Sequence, residues 1–214
     1  MAERILRVGL TGGLATGKST VLQALSEGGA ATIDADELAR EALAPGSPLV
    51  DRVVAEFGDG ILAADGAVDR QALADLVFTD ADKRKKLEAI IHPEVIRRTE
   101  EAIAKFADEG ARMAVVDSPL LYEADRAGDF DRVVVVACEP GTQLRRAIER
   151  GLSEDDARAR IAAQLPLAAK INRADYVIET DGTVEQTAQR SRTTHALLQR
   201  DAEILQRDGE LRRA

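Results

Sequence analysis

Gly12-Gly13-Leu14-Ala15-Thr16-Gly17-Lys18-Ser19 puts two glycines, a lysine and a hydroxyl at the spacing of a loop that cradles phosphate. An apolar run, Ile5 to Leu10, precedes it, and Val21, Leu22 and Leu25 follow at helical spacing. The loop is therefore expected between a strand and a helix. Gly12 and Gly17 let successive backbone N–H groups turn inward where a side chain would block the approach. A helix starting near Lys18 adds the positive end of its dipole. Lys18 would reach β- and γ-phosphates, and the Ser19 hydroxyl would sit on Mg²⁺.

Other residues could act beside such a loop. Asp34-Ala35-Asp36 follows a second strand-like run, where a parallel sheet opens its ligand crevice. A carboxylate there can take a proton from an attacking hydroxyl or hold the water shell of a metal. It can equally cap a helix, since Asp34 with Glu37 has capping-box spacing and Asp36 alone is a plausible N-cap. Asp117 ends Met113-Ala114-Val115-Val116, the pattern of a Walker B carboxylate near the metal, or of an aspartate opening the turn at Ser118-Pro119. Arg145, Arg146, Arg150, Arg158, Arg160, Lys170 and Arg173 make one segment locally basic. Four or five of them are expected on a solvated face, and Arg146 with Arg150, one helical turn apart, are the best candidates to meet phosphate. His92-Pro93 reads as a break between two helical runs, with the proline starting the second.

These residues need a scaffold. Strands are expected at Arg4–Leu10, Ala30–Ile33, Arg112–Val116, Arg132–Ala137 and Tyr176–Ile178. Helices are expected at Lys18–Ser26, Asp36–Ala44, Pro48–Phe57, Asp69–Val77, Asp82–Ile91 and Pro93–Asp108. A polar helical segment over Leu144–Lys170 and a final helix from Val184 to about Arg207 follow, the latter with Leu197, Leu198, Ile204 and Leu205 on its apolar face. Strand–helix alternation points to an α/β fold with a parallel five-stranded sheet flanked by helices, of the P-loop NTPase type. The long helical stretch between the second and third strands is too long for a crossover and reads as an inserted lobe.

Composition narrows the function classes. With 29 Lys and Arg against 38 Asp and Glu the net charge is −9, which argues against nucleic acid as a main partner. No run approaches a membrane span, and a strand beginning by Arg4 leaves no room for a cleavable signal peptide. The one cysteine, Cys138, permits no internal disulfide and reads as a small buried hydrophobe. A cytoplasmic protein is expected.

The chain also resembles the dephospho-CoA kinases. The resemblance is carried by GLTGGLATGKSTV at the start, DADELAR at Asp34–Arg40, FGDGIL with DGAVDRQALADLVF across Phe57–Phe78, and LEAIIHP at Leu87–Pro93. It continues through VVDSPLLYE at Val115–Glu123 and RIAAQLPLAAKINRADYVI at Arg160–Ile178. It implies transfer of the γ-phosphoryl of ATP, with Mg²⁺, to the 3′-hydroxyl of dephospho-CoA. It also implies one P-loop kinase domain over 1–214, with core at 1–33, 111–143 and 174–207, a helical CoA-binding insert at about 34–110 and a lid at about 144–170. Asp34, Lys18 and Arg150 are then the expected catalytic residues. ATP is expected on Gly13, Ala15, Thr16, Gly17, Lys18, Ser19, Thr20, Arg146 and Arg150, and the metal on Ser19 and Asp117. The acceptor is expected against Asp36, Arg40, His92, Pro119, Leu120 and Glu123. Two positions depart from the family pattern: Arg150-Gly151-Leu152 where Arg-Asp-Gly is common, and Thr180 where asparagine is usual. A kinase for another small acceptor shares the fold but not the insert's motifs. A GTPase switch would carry Asn-Lys-x-Asp, which this sequence lacks.

Overall fold

Alternation of strand and helix begins immediately and sets the architecture. The computed structural model describes residues 4–63, 65–78 and 80–211. The elements are β1 (Leu6–Gly12), α1 (Lys18–Glu27), β2 (Ala31–Asp34), α2 (Ala35–Ala42), α3 (Pro48–Phe57), α4 (Arg70–Phe78), α5 (Ala81–Asp108), β3 (Met113–Asp117), β4 (Arg132–Ala137), α6 (Pro140–Glu149), α7 (Glu154–Ala162), α8 (Leu167–Ile171), β5 (Tyr176–Glu179) and α9 (Val184–Asp208). The strands form one five-stranded parallel sheet in the order β2-β3-β1-β4-β5. β1 lies at its centre, with Val8 level with Val115 of β3 and Arg132 of β4.

β3 and β4 are buried at every position, as parallel strands covered on both faces must be. Leu6, Val8 and Leu10 of β1, every second residue, enter a core with Val21 and Leu25 of α1, Val134 and Val136 of β4, and Leu198, Ala202 and Leu205 of α9. On α9 the apolar stripe is therefore 198/202/205. Leu197 and Ile204, expected on the same face, are more than a third exposed. A buried polar anchor fixes α9 as well. Asp201 accepts hydrogen bonds from Arg132 Nε at 2.7 Å and Tyr176 Oη at 2.8 Å.

The chain divides into two compact units. One holds the sheet, running to Ile33 and resuming at Ile103; the other is Asp34–Ala102. The second has its own core of Val50, Val53, Ile61, Val68 and Leu73. A lone antiparallel bridge pairs Leu62 with Val68 there.

His92 and Pro93 do not separate two helices: α5 runs unbroken through both. Proline lacks the N–H that would bond to the carbonyl of Ala89, but a long helix with a full set of neighbouring bonds absorbs that loss. The segment expected as one helix over Leu144–Lys170 is three, α6, α7 and α8. Gly151, at φ 95°, ends the first, and the Ser153 hydroxyl caps the second by accepting from Asp156 N.

His195 of α9 is 7% exposed, and its Nε2 reaches no hydrogen-bond partner among the described residues. Burial holds its pKa below 6.5. The folded state therefore keeps the ring neutral, while the unfolded chain protonates it near 6.5. Stability from this group is complete above that pH and is lost as pH falls below it. The melting temperature should thus decline below pH 6.5, and His195→Met should flatten the decline. Parallel slopes for the two proteins would exclude His195 as the cause.

Candidate active site

The loop expected to bind phosphate leaves the C-terminal end of β1, the central strand, and passes into α1. Its turns explain its residues. Gly17 sits at φ 90° as the N-cap of α1, in the left-handed region that glycine enters without strain. A Cβ on Gly12 would come 2.7 Å from the carbonyl oxygen of Val136, so only glycine lets β1 run this close to β4 here. Ala15 takes φ 57° with the smallest side chain, buried with Ala147 and Ala157 of α6 and α7. Thr16, fully buried, turns its hydroxyl back to Gly13 O at 3.0 Å.

The loop lines a cavity of about 230 Å³ with Gly13 through Ser19, Pro119, Arg150 and Gln164. Lys18 is ion-paired with Asp117, the residue that ends β3. Ser19 is exposed at the start of α1. A second cavity of about 170 Å³ shares Gly17 and Arg150 and adds Thr20, Arg146, Thr180, Gly182, Thr183, Val184 and Thr187. Arg146 donates from Nη1 to Thr180 Oγ1 at 2.9 Å and from Nη2 to Thr180 O at 2.7 Å. Arg150 borders both cavities, and its guanidinium makes no hydrogen bond or ion pair with any described residue. The structure thus brings Lys18, Ser19, Thr20, Asp117, Pro119, Arg146 and Arg150 around two adjoining hollows of one unit.

Thr180 accounts for its departure from the family pattern. It is 2% exposed and turned inward. Its proton goes to Thr16 O at 2.6 Å, and its oxygen accepts from Arg146. It lines the second cavity with its hydroxyl spent on holding the phosphate loop to the end of β5.

Asp34 is the last residue of β2 and the N-cap of α2, its Oδ1 accepting from Glu37 N at 3.0 Å. Asp36, the alternative cap, lies within the first turn. Arg40 reaches the other carboxylate oxygen of Asp34 at 3.7 Å. Within the same unit, Arg40 and Arg70 line a cavity of about 390 Å³ with Glu37, Glu41 and Pro45. His92 is half-buried on α5, and Leu120 is 46% exposed. Glu123 is committed to an internal brace: its Oε1 accepts from Lys170 Nζ at 2.8 Å and from Leu165 N at 2.9 Å.

Five of the seven basic residues, Arg145, Arg150, Arg158, Arg160 and Arg173, are exposed, within the four or five expected. Arg145 and Arg158 do pair with acidic neighbours on exposed helix faces, and Arg160 is exposed. Lys170, however, is 0% exposed, donating also to Gly12 O and Pro119 O, both at 3.1 Å. Arg173 stacks over the Tyr122 ring at 4.5 Å. Gln143 and Gln164 carried no expectation, yet they hold the two backbone polar groups of Leu14, in successive peptide groups of the loop. Gln143 Nε2 donates to Leu14 O and Gln164 Oε1 accepts from Leu14 N, both at 2.9 Å. The signal for Lys170 and Gln164 was a polar residue isolated among apolar ones, Leu167-Ala168-Ala169-Lys170-Ile171 and Ala162-Ala163-Gln164-Leu165. Cys138 is buried at the end of β4, and burial pushes its thiol pKa up, which leaves it unreactive.

Ser19 and Asp117 offer an alcohol and a carboxylate beside the phosphate cavity, the hard oxygen donors that Mg²⁺ takes with phosphate and water filling its remaining positions. Among the described residues no cluster of three or more His, Cys, Asp or Glu could hold a metal by protein ligands alone.

A parallel sheet with a phosphate loop on its central strand, and arginines bordering the cavity, defines a P-loop kinase. A family model described as dephospho-CoA kinase matches residues 6–186, and the chain belongs to that family. It is 46% identical over 183 residues to the dephospho-CoA kinase of Geobacillus kaustophilus, covering 85% of this chain and 91% of that one. The dephospho-CoA kinase of Geobacter sulfurreducens is 46% identical over 184 residues, covering 86% and 93%. A crystal structure from Thermus thermophilus superposes with a TM-score of 0.81 at 32% identity, over 92% of this chain and 98% of the other. A dephospho-CoA kinase from Campylobacter jejuni, at 23% identity and a TM-score of 0.61 over 90% and 96%, shares the fold.

The Thr180 contacts generate a test. Thr180→Val keeps the shape but leaves Thr16 O without its donor and removes one of the two hydrogen bonds that hold the Arg146 guanidinium, leaving the one to Thr180 O. It should lower unfolding free energy by about 1–3 kcal/mol in urea titrations and weaken ATP binding. Wild-type values for both would show that the anchor is dispensable.

Proposed function

We propose that the chain transfers the γ-phosphoryl group of ATP to the ribose 3′-hydroxyl of dephospho-CoA, releasing CoA and ADP. The observation that carries this reading is the phosphate cavity, in which Lys18, Ser19 and Arg150 converge on one hollow in a chain of the dephospho-CoA kinase family. Phosphoryl transfer asks mainly for positioning and for neutralisation of charge on the moving group.

The loop amides at the N-terminus of α1 and the Lys18 ammonium take the phosphates. Lys18 exchanges its Asp117 partner for them, one anion for another. Ser19 and Asp117 are the residues that would hold Mg²⁺, which when bound neutralises charge on the phosphate oxygens. The second cavity, with Thr20, Thr183 and Val184, takes the nucleoside. Arg146 is held by Thr180 as its wall, and Arg150, free of internal partners, is poised to meet the γ-phosphoryl as charge builds. Its exposure at the end of α6 suits an α6–α8 lid that closes over the nucleotide and excludes water.

Asp34 ends a strand of the same parallel sheet and serves as base for the acceptor hydroxyl. Its cap to Glu37 N uses one oxygen, leaving the other, oriented by Arg40, for the proton. Asp36, Arg40 and His92 of the helical insert are assigned to the acceptor, as are, separately, Pro119 and Leu120 of the sheet unit. Glu123 contributes by bracing Lys170. A cytoplasmic location fits the single buried cysteine, and among the described residues no helix is long and apolar enough to cross a membrane.

The deciding assay is ADP release with and without dephospho-CoA. Release should depend on this acceptor and vanish in Lys18→Ala; equal turnover with unrelated alcohols would overturn the acceptor assignment. Asp34→Asn tests the base. Asparagine caps a helix about as well as aspartate, so the melting temperature should hold while kcat falls about 10²–10⁴-fold. A folded variant within a few-fold of wild-type kcat would leave Asp34 a capping residue.

A further inference from the structure

The phosphate cavity has one wall that is not made by the loop, by Pro119 or by Arg150: the side chain of Gln164, in the turn between α7 and α8. Its carboxamide has a fixed orientation. Leu14 N–H points at one arm of it at 2.9 Å, and a donor must meet an acceptor, so that arm is Oε1. Nε2 is then the arm left over, and it makes no hydrogen bond with any described residue. Gln143 Nε2 donates to Leu14 O, in the next peptide group, so both backbone polar groups of Leu14 are held by side chains.

We propose that Gln164 is a further catalytic residue: its Nε2 donates a hydrogen bond to the γ-phosphoryl group during transfer. The inference rests on the kinase reading above. Three observations carry it. Gln164 borders the same cavity as Lys18, Ser19 and Arg150. Its acceptor atom is spent on the loop, which turns a donor to the cavity. The donor is neutral, so it adds no charge repelling Arg150 or Lys18 and no pKa to tune.

The terminal phosphoryl is the group the proposal assigns to Gln164. Leu14 lies on the β1 side of the loop, three residues before Gly17 and the start of α1. The α1 N-terminus serves the phosphates nearer the nucleoside, and Lys18 reaches the β- and γ-phosphates. Gln164 borders the same cavity as Pro119 and Lys18.

The experiment compares Gln164→Met and Gln164→Glu with wild type in three readouts. These are affinity for Mg–ADP, affinity for Mg–AMP-PNP by calorimetry, and kcat of dephospho-CoA-dependent ADP release. Gln164→Met removes the donor without adding charge. The proposal expects ADP affinity within about twofold of wild type, AMP-PNP affinity weakened several-fold, and kcat lowered about tenfold or more, toward the 10²–10³ that one such donor can carry. Gln164→Glu keeps the acceptor for Leu14 N–H but puts an anion where the NH₂ stood, and its kcat should fall further than that of Gln164→Met. A role confined to bracing the loop predicts the opposite pattern. Gln164→Met would lose ADP and AMP-PNP affinity by equal factors, and Gln164→Glu would stay near wild type. Either result, or a Gln164→Met kcat within threefold of wild type, overturns the proposal. If wild type showed no dephospho-CoA-dependent release, the acceptor assignment would fail, and the ADP against AMP-PNP comparison would still decide the role of Gln164.

Discussion

A cation that water cannot reach must be surrounded by oxygen, and the site is organised around one such cation. Lys170 is wholly buried, and its ammonium uses its three hydrogens on Gly12 O, Pro119 O and Glu123 Oε1. An ammonium left without these partners in a low-dielectric interior would cost several kcal/mol, of the order of the 3–5 kcal/mol lost when a buried pair is broken. The three oxygens belong to the start of the phosphate loop and the turn after β3. Pro119 and Glu123 share that one turn, so meeting the demand of one charge fixes the turn, the start of the phosphate loop and α8 to one another.

The other loop contacts complete the same clamp. Gln143 holds Leu14 O and Gln164 holds Leu14 N, Thr180 holds Thr16 O, and Thr11 donates to Pro119 O at 3.0 Å. The loop is thus stapled from its outer side by side chains, while its inner N–H groups face the cavity. A catalyst that works by positioning needs this division, because a loop free to rearrange would spend binding energy on its own ordering.

Much of this was legible in the sequence, for reasons that differ by element. The five strands are short apolar runs bounded by breakers, so each appears within two residues of its expected place, and the phosphate loop announces itself by glycine spacing. The α5 helix was misread at Pro93 because a proline is a stop signal only when nothing else sustains the helix. On α9 the stripe of Leu198 and Leu205 could not be told from Leu197 and Ile204, since adjacent apolar residues fit either face until a sheet covers one. Lys170 and Gln164 stayed hidden because burial of a polar side chain depends on partners more than a hundred residues away in the case of Gly12 and Leu14. No local pattern contains them.

The contiguous insert has a consequence for how the chain assembles. β1 must pair with β3, Val8 with Val115, before the sheet has a centre, and closing so long a loop costs entropy that grows with its length. Asp34–Ala102 has its own core and needs no strand from elsewhere to form it. Once collapsed, it withdraws its own residues from the disordered chain between β2 and β3, which lowers the entropy lost on closing that loop. The order of synthesis favours this sequence of events, with the insert complete before β3 emerges from the ribosome, so the lobe that interrupts the sheet also hastens its closure.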